Sequence, residues 1–245
     1  MHSVILLPGL ACDEVLFQHQ AAALAAHARV QVSDAHQRHA TLPAMAAALL
    51  AEQPGRHVLV GASMGGMLAL EMHRQAPARV AALALLGSSA RPDTPELLKL
   101  RSKACELFAA GRMEEVLGAN VFFAFHPAHA QQAGLVRPYL AMIRRAGAAQ
   151  LIRQNQAVMA RIDSRPHLAQ VRCPVLVVCG EADQLATPEQ SREMAALMPQ
   201  ATLEIGPGAG HMLTLEQPER VSTLLLRWLH TLQRGDAAGI AAPIS

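Results

Sequence analysis

The amino-acid sequence predicts an α/β fold in which a mostly parallel sheet is flanked by helices. Short runs of Val, Ile and Leu end in Gly, Asp or Ser, and Ala-rich segments with helical spacing follow them. Continuous aliphatic runs of this length are typical of strands that are covered on both faces. The chain has 245 residues, of which 51% are hydrophobic and 16% charged, so it suits one large globular domain or two small ones.

Five aliphatic runs have the composition of buried strands, and a sixth run is weaker. The predicted strands cover residues 4–7, 58–60, 80–86, 175–178 and 201–205, with 29–32 as the weaker one. The stretches between them have the spacing of helices, at residues 14–27, 43–53, 64–76, 188–197 and 217–233. In a parallel sheet of this kind, functional groups gather at the carboxyl ends of the strands.

One long interval, residues 90–172, contains no convincing strand. We therefore predict a core made of residues 1–89 and 173–234, a helical lid insertion at 90–172, and a disordered tail at 235–245. Most aromatic residues of the chain lie in the insertion. Because pockets are lined mainly by apolar and aromatic groups, we expect rings from this set to face a substrate pocket: Phe108, Phe122, Phe123, Phe125 and Tyr139.

The charge and cysteine content exclude several classes of function. The net charge is +2 without a basic or acidic run, so neither nucleic acid nor a membrane surface is indicated as a partner. The four cysteines form no C-x-x-C pair, which favours free thiols in a reducing compartment. The N-terminal segment lacks the features of a signal peptide, and no apolar stretch is long enough for a membrane span. We expect a cytoplasmic protein without a cofactor or metal, and its oligomeric state stays open.

A serine lies between glycines where a predicted strand meets a predicted helix. The stretch Gly61-Ala62-Ser63-Met64-Gly65 has the form G-x-S-x-G, and a strand before it and a helix after it are the context that a nucleophile elbow requires. The sharp turn brings strand and helix so close that the flanking positions have almost no room for side chains. The alternative interpretation is a glycine-rich turn with an incidental serine.

A serine hydroxyl is a weak nucleophile at neutral pH, so it needs a base and a group that orients the base. Of the 12 histidines, His211 follows the last predicted strand and therefore lies at the carboxyl edge of the sheet. Asp183 follows the strand before it and is the predicted orienting acid. Glu181 is the rival acid because it is two residues nearer that strand, and Asp163 lies in the insertion.

The oxyanion of an acyl-transfer intermediate needs N–H donors, and two backbone positions are candidates. One is the N–H of Met64, directly after the serine. The other is the N–H of Leu10 in the loop after the first strand, where Gly9 allows a close backbone approach. The alternative interpretation of this loop is an ordinary strand-to-helix turn. Cys12 is nearby but lacks an obvious base partner.

Together these motifs resemble those of the α/β-hydrolase superfamily over nearly the whole chain, in particular its small bacterial esterase-type members with a helical lid. The resemblance rests on the order Ser, Asp, His and on four motifs: Leu7-Pro8-Gly9-Leu10, Gly61 to Gly65, Gly180-x-x-Asp183 and Gly210-His211. In two respects the chain departs from the family pattern. Pro8-Gly9 replaces a frequent His-Gly pair, and the first strand corresponds to the family's third. The resemblance therefore implies a sheet of about six strands that lacks the usual first two.

The combined reading predicts a serine hydrolase that acts on a small or medium carboxylic ester or thioester through Ser63, His211 and Asp183. Cofactor-free lyases and carbon–carbon bond hydrolases use the same three residues and stay as alternatives. A non-catalytic binding protein on this fold is a remote alternative. Four arginines of the insertion either form a solvated helix face or bind a substrate carboxylate or an acidic carrier protein: Arg144, Arg145, Arg153 and Arg161.

Overall fold

The computed structural model describes residues 2–240 and the side chains of residues 2–234. Six strands in this part of the chain form one sheet, and every neighbouring pair is parallel. Their order across the sheet is β2-β1-β3-β4-β5-β6. The strands are β1 (Ser3–Leu7), β2 (Arg29–Val32), β3 (His57–Ala62), β4 (Val80–Leu86), β5 (Val175–Gly180) and β6 (Ala201–Gly206). The predicted α/β fold and all six predicted strands are confirmed.

Helices connect the strands, and short 3-10 turns cover Glu14–Phe17 and Pro77–Arg79. The predicted helices 43–53, 64–76 and 188–197 are present within one residue of their predicted ends. The predicted helix 14–27 begins as the first 3-10 turn and continues as an α-helix from residue 18 to 25, and the predicted helix 217–233 extends to residue 240. The helices are α1 (Gln18–Ala25), α2 (Ala35–Arg38), α3 (Leu42–Glu52), α4 (Met64–Gln75), α5 (Pro95–Ala109), α6 (Met113–Ala124), α7 (Ala133–Met159), α8 (Arg165–Leu168), α9 (Pro188–Leu197), α10 (Leu213–Glu216) and α11 (Pro218–Ile240).

Alternate residues of each strand point to opposite faces of the sheet, which gives the protein two hydrophobic clusters. On β1, Val4 and Leu6 belong to one cluster, whereas Ile5 and Leu7 belong to the other. The first cluster includes residues of α1 and α11, and the second includes residues of α3, α4 and α9. Because both faces are covered, the strands are continuous aliphatic runs rather than alternating ones.

Helices α5 to α8 lie between β4 and β5, inside the interval predicted to be an insertion. Buried residues of α5, α6 and the first half of α7 pack against the first cluster. Helix α7 bends at Gly147, which has a φ of 72°. Beyond the bend, Ala157 and Val158 belong to the second cluster. The end of the interval therefore packs with the core, and its action as a lid stays a prediction.

Strand β2 has only four residues and alternates between exposed and half-buried positions, as expected of an edge strand.

The predicted tail at 235–245 begins within α11, and residues 241–245 lie outside the described residues. Among the described helices, none is both long and apolar enough to cross a membrane.

The strand order reverses direction at β1, because the chain passes from β1 to β2 on one side and then to β3 on the other. Ligands of open parallel sheets bind outside the carboxyl ends of the strands at such a switch point. The loop after β1 and the turn between β3 and α4 meet at this position. These are the two segments in which the sequence predicts oxyanion donors and a nucleophile.

Candidate active site

Ser63 lies in the turn between β3 and α4 with backbone angles φ 53° and ψ −117°. A positive φ is costly for a residue with a side chain, and such strain persists only where the surroundings enforce it. Two glycines allow the turn. A Cβ on Gly61 would meet the backbone of Gly65, and a Cβ on Gly65 would meet the carbonyl oxygen of Leu7. The partly exposed serine hydroxyl is consequently presented at the positive end of α4.

The hydroxyl of Ser63 lies within hydrogen-bond distance of His211, which is far away in the sequence. The distance between His211 Nε2 and Ser63 Oγ is 3.0 Å. On the other side of the ring, Nδ1 is 2.8 Å from Oδ2 of Asp183 and 3.0 Å from Oδ1. A carboxylate only accepts hydrogen bonds, so Nδ1 carries the proton and Nε2 is left with a lone pair that faces the serine.

The carboxylate of Asp183 is fully buried and its position is fixed by the chain that follows it. The N–H groups of Leu185 and Ala186 donate to Oδ1 at 2.8 and 2.9 Å. Oδ1 therefore has two backbone donors in addition to the histidine, whereas Oδ2 faces His211. Gly87, at the end of β4, has a φ of 51°, and a Cβ there would lie 3.1 Å from Oδ2. The absence of a side chain at Gly87 leaves room for the Asp183–His211 pair.

Two backbone N–H groups are free to stabilise an oxyanion beside Ser63. Within residues 2–234, neither Met64 N–H nor Leu10 N–H donates to a protein acceptor. Met64 is the first residue of α4, where N–H groups have no partner inside the helix. The loop of Leu10 approaches closely, since a Cβ on Gly9 would lie 3.3 Å from the Cβ of Ser63. This geometry suits the predicted donors.

A buried glutamine of α7 hydrogen-bonds to the loop that contains Leu10. Ala11 has a φ of 60°, and its N–H donates to Oε1 of Gln154 at 2.7 Å. Nε2 of Gln154 donates in turn to the carbonyl of His36 at 2.8 Å, and the His36 ring donates to the carbonyl of Cys12 at 2.7 Å. Gln154 is fully buried. The strained turn after Leu10 is thus fixed by side-chain contacts with the core.

The remaining candidates have other roles. Glu181, the rival acid, accepts the N–H of Gly208 and does not contact His211 in the described contacts. Asp163 pairs with Arg165 at 2.6 Å. Burial raises the pKa of the Cys12 thiol to about 12, so this cysteine is not ionised at neutral pH.

The aromatic residues predicted to line a pocket divide into two groups. Phe108, Phe125 and Tyr139 are buried, and the rings of Phe125 and Tyr139 form an edge-to-face pair with centroids 5.1 Å apart. Phe122 and Phe123 are 63% and 48% exposed. The buried residues of α6 are spaced to form its inner face, which leaves these two rings on the opposite face. Their exposure does not support a place in an enclosed pocket.

The four arginines that the sequence analysis singled out in residues 90–172, here called the helical segment, are bonded within the chain. Arg144 pairs with Glu114, Arg145 with Asp13, and Arg161 with the buried carboxylate of Asp93, at 2.6–2.7 Å. Arg153 donates to the carbonyl of Gln37 at 2.6 Å. Arg145 and Arg153 therefore join the helical segment to the rest of the protein, whereas Arg144 and Arg161 bond to acids of the segment itself.

Comparison with known proteins identifies the family of this chain. A family model described as the alpha/beta hydrolase family matches residues 4–224. The chain belongs to the alpha/beta hydrolase family. It is an enzyme of this family, and its mostly parallel sheet flanked by helices agrees with the fold that the resemblance implied.

Individual relatives are similar at modest identity. The chain is 27% identical over 191 residues to a putative carbamate hydrolase, RutD, of Shigella flexneri, covering 76% of this chain and 70% of that protein. A thermophilic esterase of Thermogutta terrifontis superposes with a TM-score of 0.85 at 27% identity over 95% of this chain and 90% of that one. An enol-lactonase of Burkholderia xenovorans LB400 shares the fold with a TM-score of 0.85 at 21% identity, over 94% and 91% of the chains.

Three residues near the site were missed by the sequence analysis. Gln154 lies in a long Ala-rich helix with no distinguishing motif, and Glu216 follows His211 without a recognised spacing. Ser88 donates from its hydroxyl to the carbonyl of Ser63 at 2.8 Å. Because Ser88 lies two residues after the end of β4, its position at the carboxyl edge of the sheet could have identified it.

Proposed function

We propose that the protein is a serine hydrolase that cleaves small or medium neutral carboxylic esters. The observation that carries the proposal is the hydrogen-bonded series Ser63–His211–Asp183, with distances of 3.0 and 2.8 Å. In this mechanism Ser63 Oγ attacks the carbonyl carbon while His211 Nε2 accepts its proton, and Asp183 stabilises the resulting imidazolium. The N–H groups of Leu10 and Met64 stabilise the oxyanion.

The second half of the reaction uses the same groups. His211 donates its proton to the departing alkoxide, which leaves an acyl ester on Ser63. A water molecule then gives a proton to His211 and attacks the acyl carbon, and the carboxylic acid leaves as Ser63 regains its proton. No group besides these side chains and water is needed to balance the reaction.

The contacts of four arginines favour neutral acyl substrates. Each of the four is bonded to an acid or a carbonyl rather than free for a substrate carboxylate: Arg144, Arg145, Arg153 and Arg161. Similarity to proteins described as an esterase and a putative carbamate hydrolase supports reaction at a carbonyl carbon, because esters and carbamates both carry one. A thioester has the same carbonyl and falls within the proposal.

The test is hydrolysis of nitrophenyl esters with acyl chains of increasing length. We expect turnover of neutral esters with an early burst of nitrophenolate wherever hydrolysis of the acyl-enzyme is slower than its formation. An ester of similar length with a terminal carboxylate is the matched control, and we expect a lower kcat/KM for it. Absence of turnover for every ester and for the matching thioesters would contradict the proposal.

A further inference from the structure

A buried carboxylate joins the loop of His211 to the helical segment. Glu216 ends α10, and no part of its side chain is exposed. Its Oε1 accepts the N–H of Gly210 at 2.8 Å, and its Oε2 accepts the N–H of His126 and the Nδ1–H of His129, each at 2.8 Å. A buried carboxylate is costly without partners, so three donors converging on one side chain make this a specific arrangement.

The backbone around His211 is in direct contact with the turn that follows α6, residues 124–129. Met212 N–H donates to the carbonyl of Ala124 at 2.9 Å. A Cβ on Gly210 would lie 2.5 Å from the backbone nitrogen of His126, so the backbones of these two segments are in contact with no side chain between them. Both neighbours of His211 are therefore bonded to this turn, one directly and one through Glu216.

We propose that Glu216 is a positioning residue that holds His211 at hydrogen-bond distance from Ser63 and makes that position dependent on the helical segment. It acts through the backbone of Gly210 and does not touch substrate. The distance of 3.0 Å between His211 Nε2 and Ser63 Oγ leaves little room for displacement. The expected effect on kcat rests on the proposed function, whereas the effect on the position of His211 does not.

The first test is Glu216→Gln, which keeps the size of the side chain. A glutamine has one acceptor oxygen, so it can accept from Gly210 or from the turn after α6 but not from both. We expect kcat for nitrophenyl esters to fall about ten- to a hundred-fold with little change in KM, because displacement of a catalytic group by about 1 Å has an effect of this order. The matched control is Glu114→Gln, an exposed carboxylate of α6 that pairs with Arg144, and its kcat is expected to stay unchanged.

A spectroscopic test does not depend on turnover. The Nδ1 proton of His211, held between the ring and the buried Asp183, is expected to give a low-field proton NMR resonance that Asp183→Asn removes. Glu216→Gln should shift or broaden it, whereas Glu114→Gln should not. His129→Leu removes one donor from Glu216 at a ring that is 21% exposed, and a smaller change of the same resonance is expected.

The outcomes separate the two proposals. A folded Glu216→Gln variant with the wild-type kcat and the wild-type resonance would overturn the positioning role. If Glu216→Gln does not fold, His129→Leu decides, and an unchanged resonance in that variant overturns the role. If the wild type hydrolyses no ester but the resonance moves in Glu216→Gln, the proposed function fails and the positioning role stands.

Discussion

Replacing Ser63 by alanine is expected to lower kcat/KM for nitrophenyl esters by about 10⁴- to 10⁶-fold, the range seen when the nucleophile of such a site is removed. The physical reason is that His211 then has no hydroxyl to deprotonate, so no acyl-enzyme forms. Fold and stability should be preserved, since Ser63 is partly exposed and, within residues 2–234, its hydroxyl hydrogen-bonds only to the His211 ring. Steady-state kinetics and thermal unfolding of the same preparation measure both effects.

The matched control is Ser102→Ala, which removes an exposed hydroxyl of α5. Its activity and Tm should equal those of the wild type. Equal activity of Ser63→Ala and the wild type would mean that Ser63 is not the nucleophile, and the proposed mechanism would then be wrong.

Replacing Asp183 by asparagine is expected to lower kcat by about 10³- to 10⁴-fold, because the wrong tautomer of the histidine is then favoured. The structure determines which way the new amide points. The N–H groups of Leu185 and Ala186 donate to Oδ1, so the amide oxygen keeps that position and the NH₂ group replaces Oδ2. This NH₂ would donate to Nδ1 of His211, which leaves the ring proton on Nε2 and removes the base that faces Ser63.

Two variants control for this effect. Asp163→Asn changes an acid that accepts the N–H of the residue two positions later, Arg165, as Asp183 does with Leu185. The described contacts of Asp163 do not include His211. Glu181→Gln changes the rival acid, which accepts the N–H of Gly208. Both should retain most of the activity. A large loss in Glu181→Gln together with an active Asp183→Asn would assign the orienting role to Glu181 instead.

The sequence predicted the six strands of the sheet, and three of the predicted site residues lie together at its carboxyl edge: Ser63, Asp183 and His211. Local rules explain this success, because a strand, a G-x-S-x-G turn and a helix are encoded by neighbouring residues. His211 and Asp183 were found by a topological rule, since residues that follow parallel strands meet at one edge regardless of their separation in the chain. The same rule applies to Ser88, which was overlooked.

The packing of the helical segment was harder to predict. Phe122 and Phe123 lie on the exposed side of α6, and their place could not be inferred without knowing which face of that helix meets the core. Gln154 and Glu216 act through contacts with residues far from them in the sequence, 143 and 90 positions away for the N–H groups of Ala11 and His126. No local pattern identifies such partners, because long-range packing determines them.

The most direct test of the central claim is to locate the residue that a fluorophosphonate modifies, using mass spectrometry of the digested protein. This reagent bonds covalently to a serine that an adjacent base activates. We expect one adduct, on the peptide that contains Ser63, with modification slowed strongly in a His211→Gln variant. Modification of another residue, or of Ser63 at the same rate without His211, would contradict the assignment of Ser63 as the activated nucleophile.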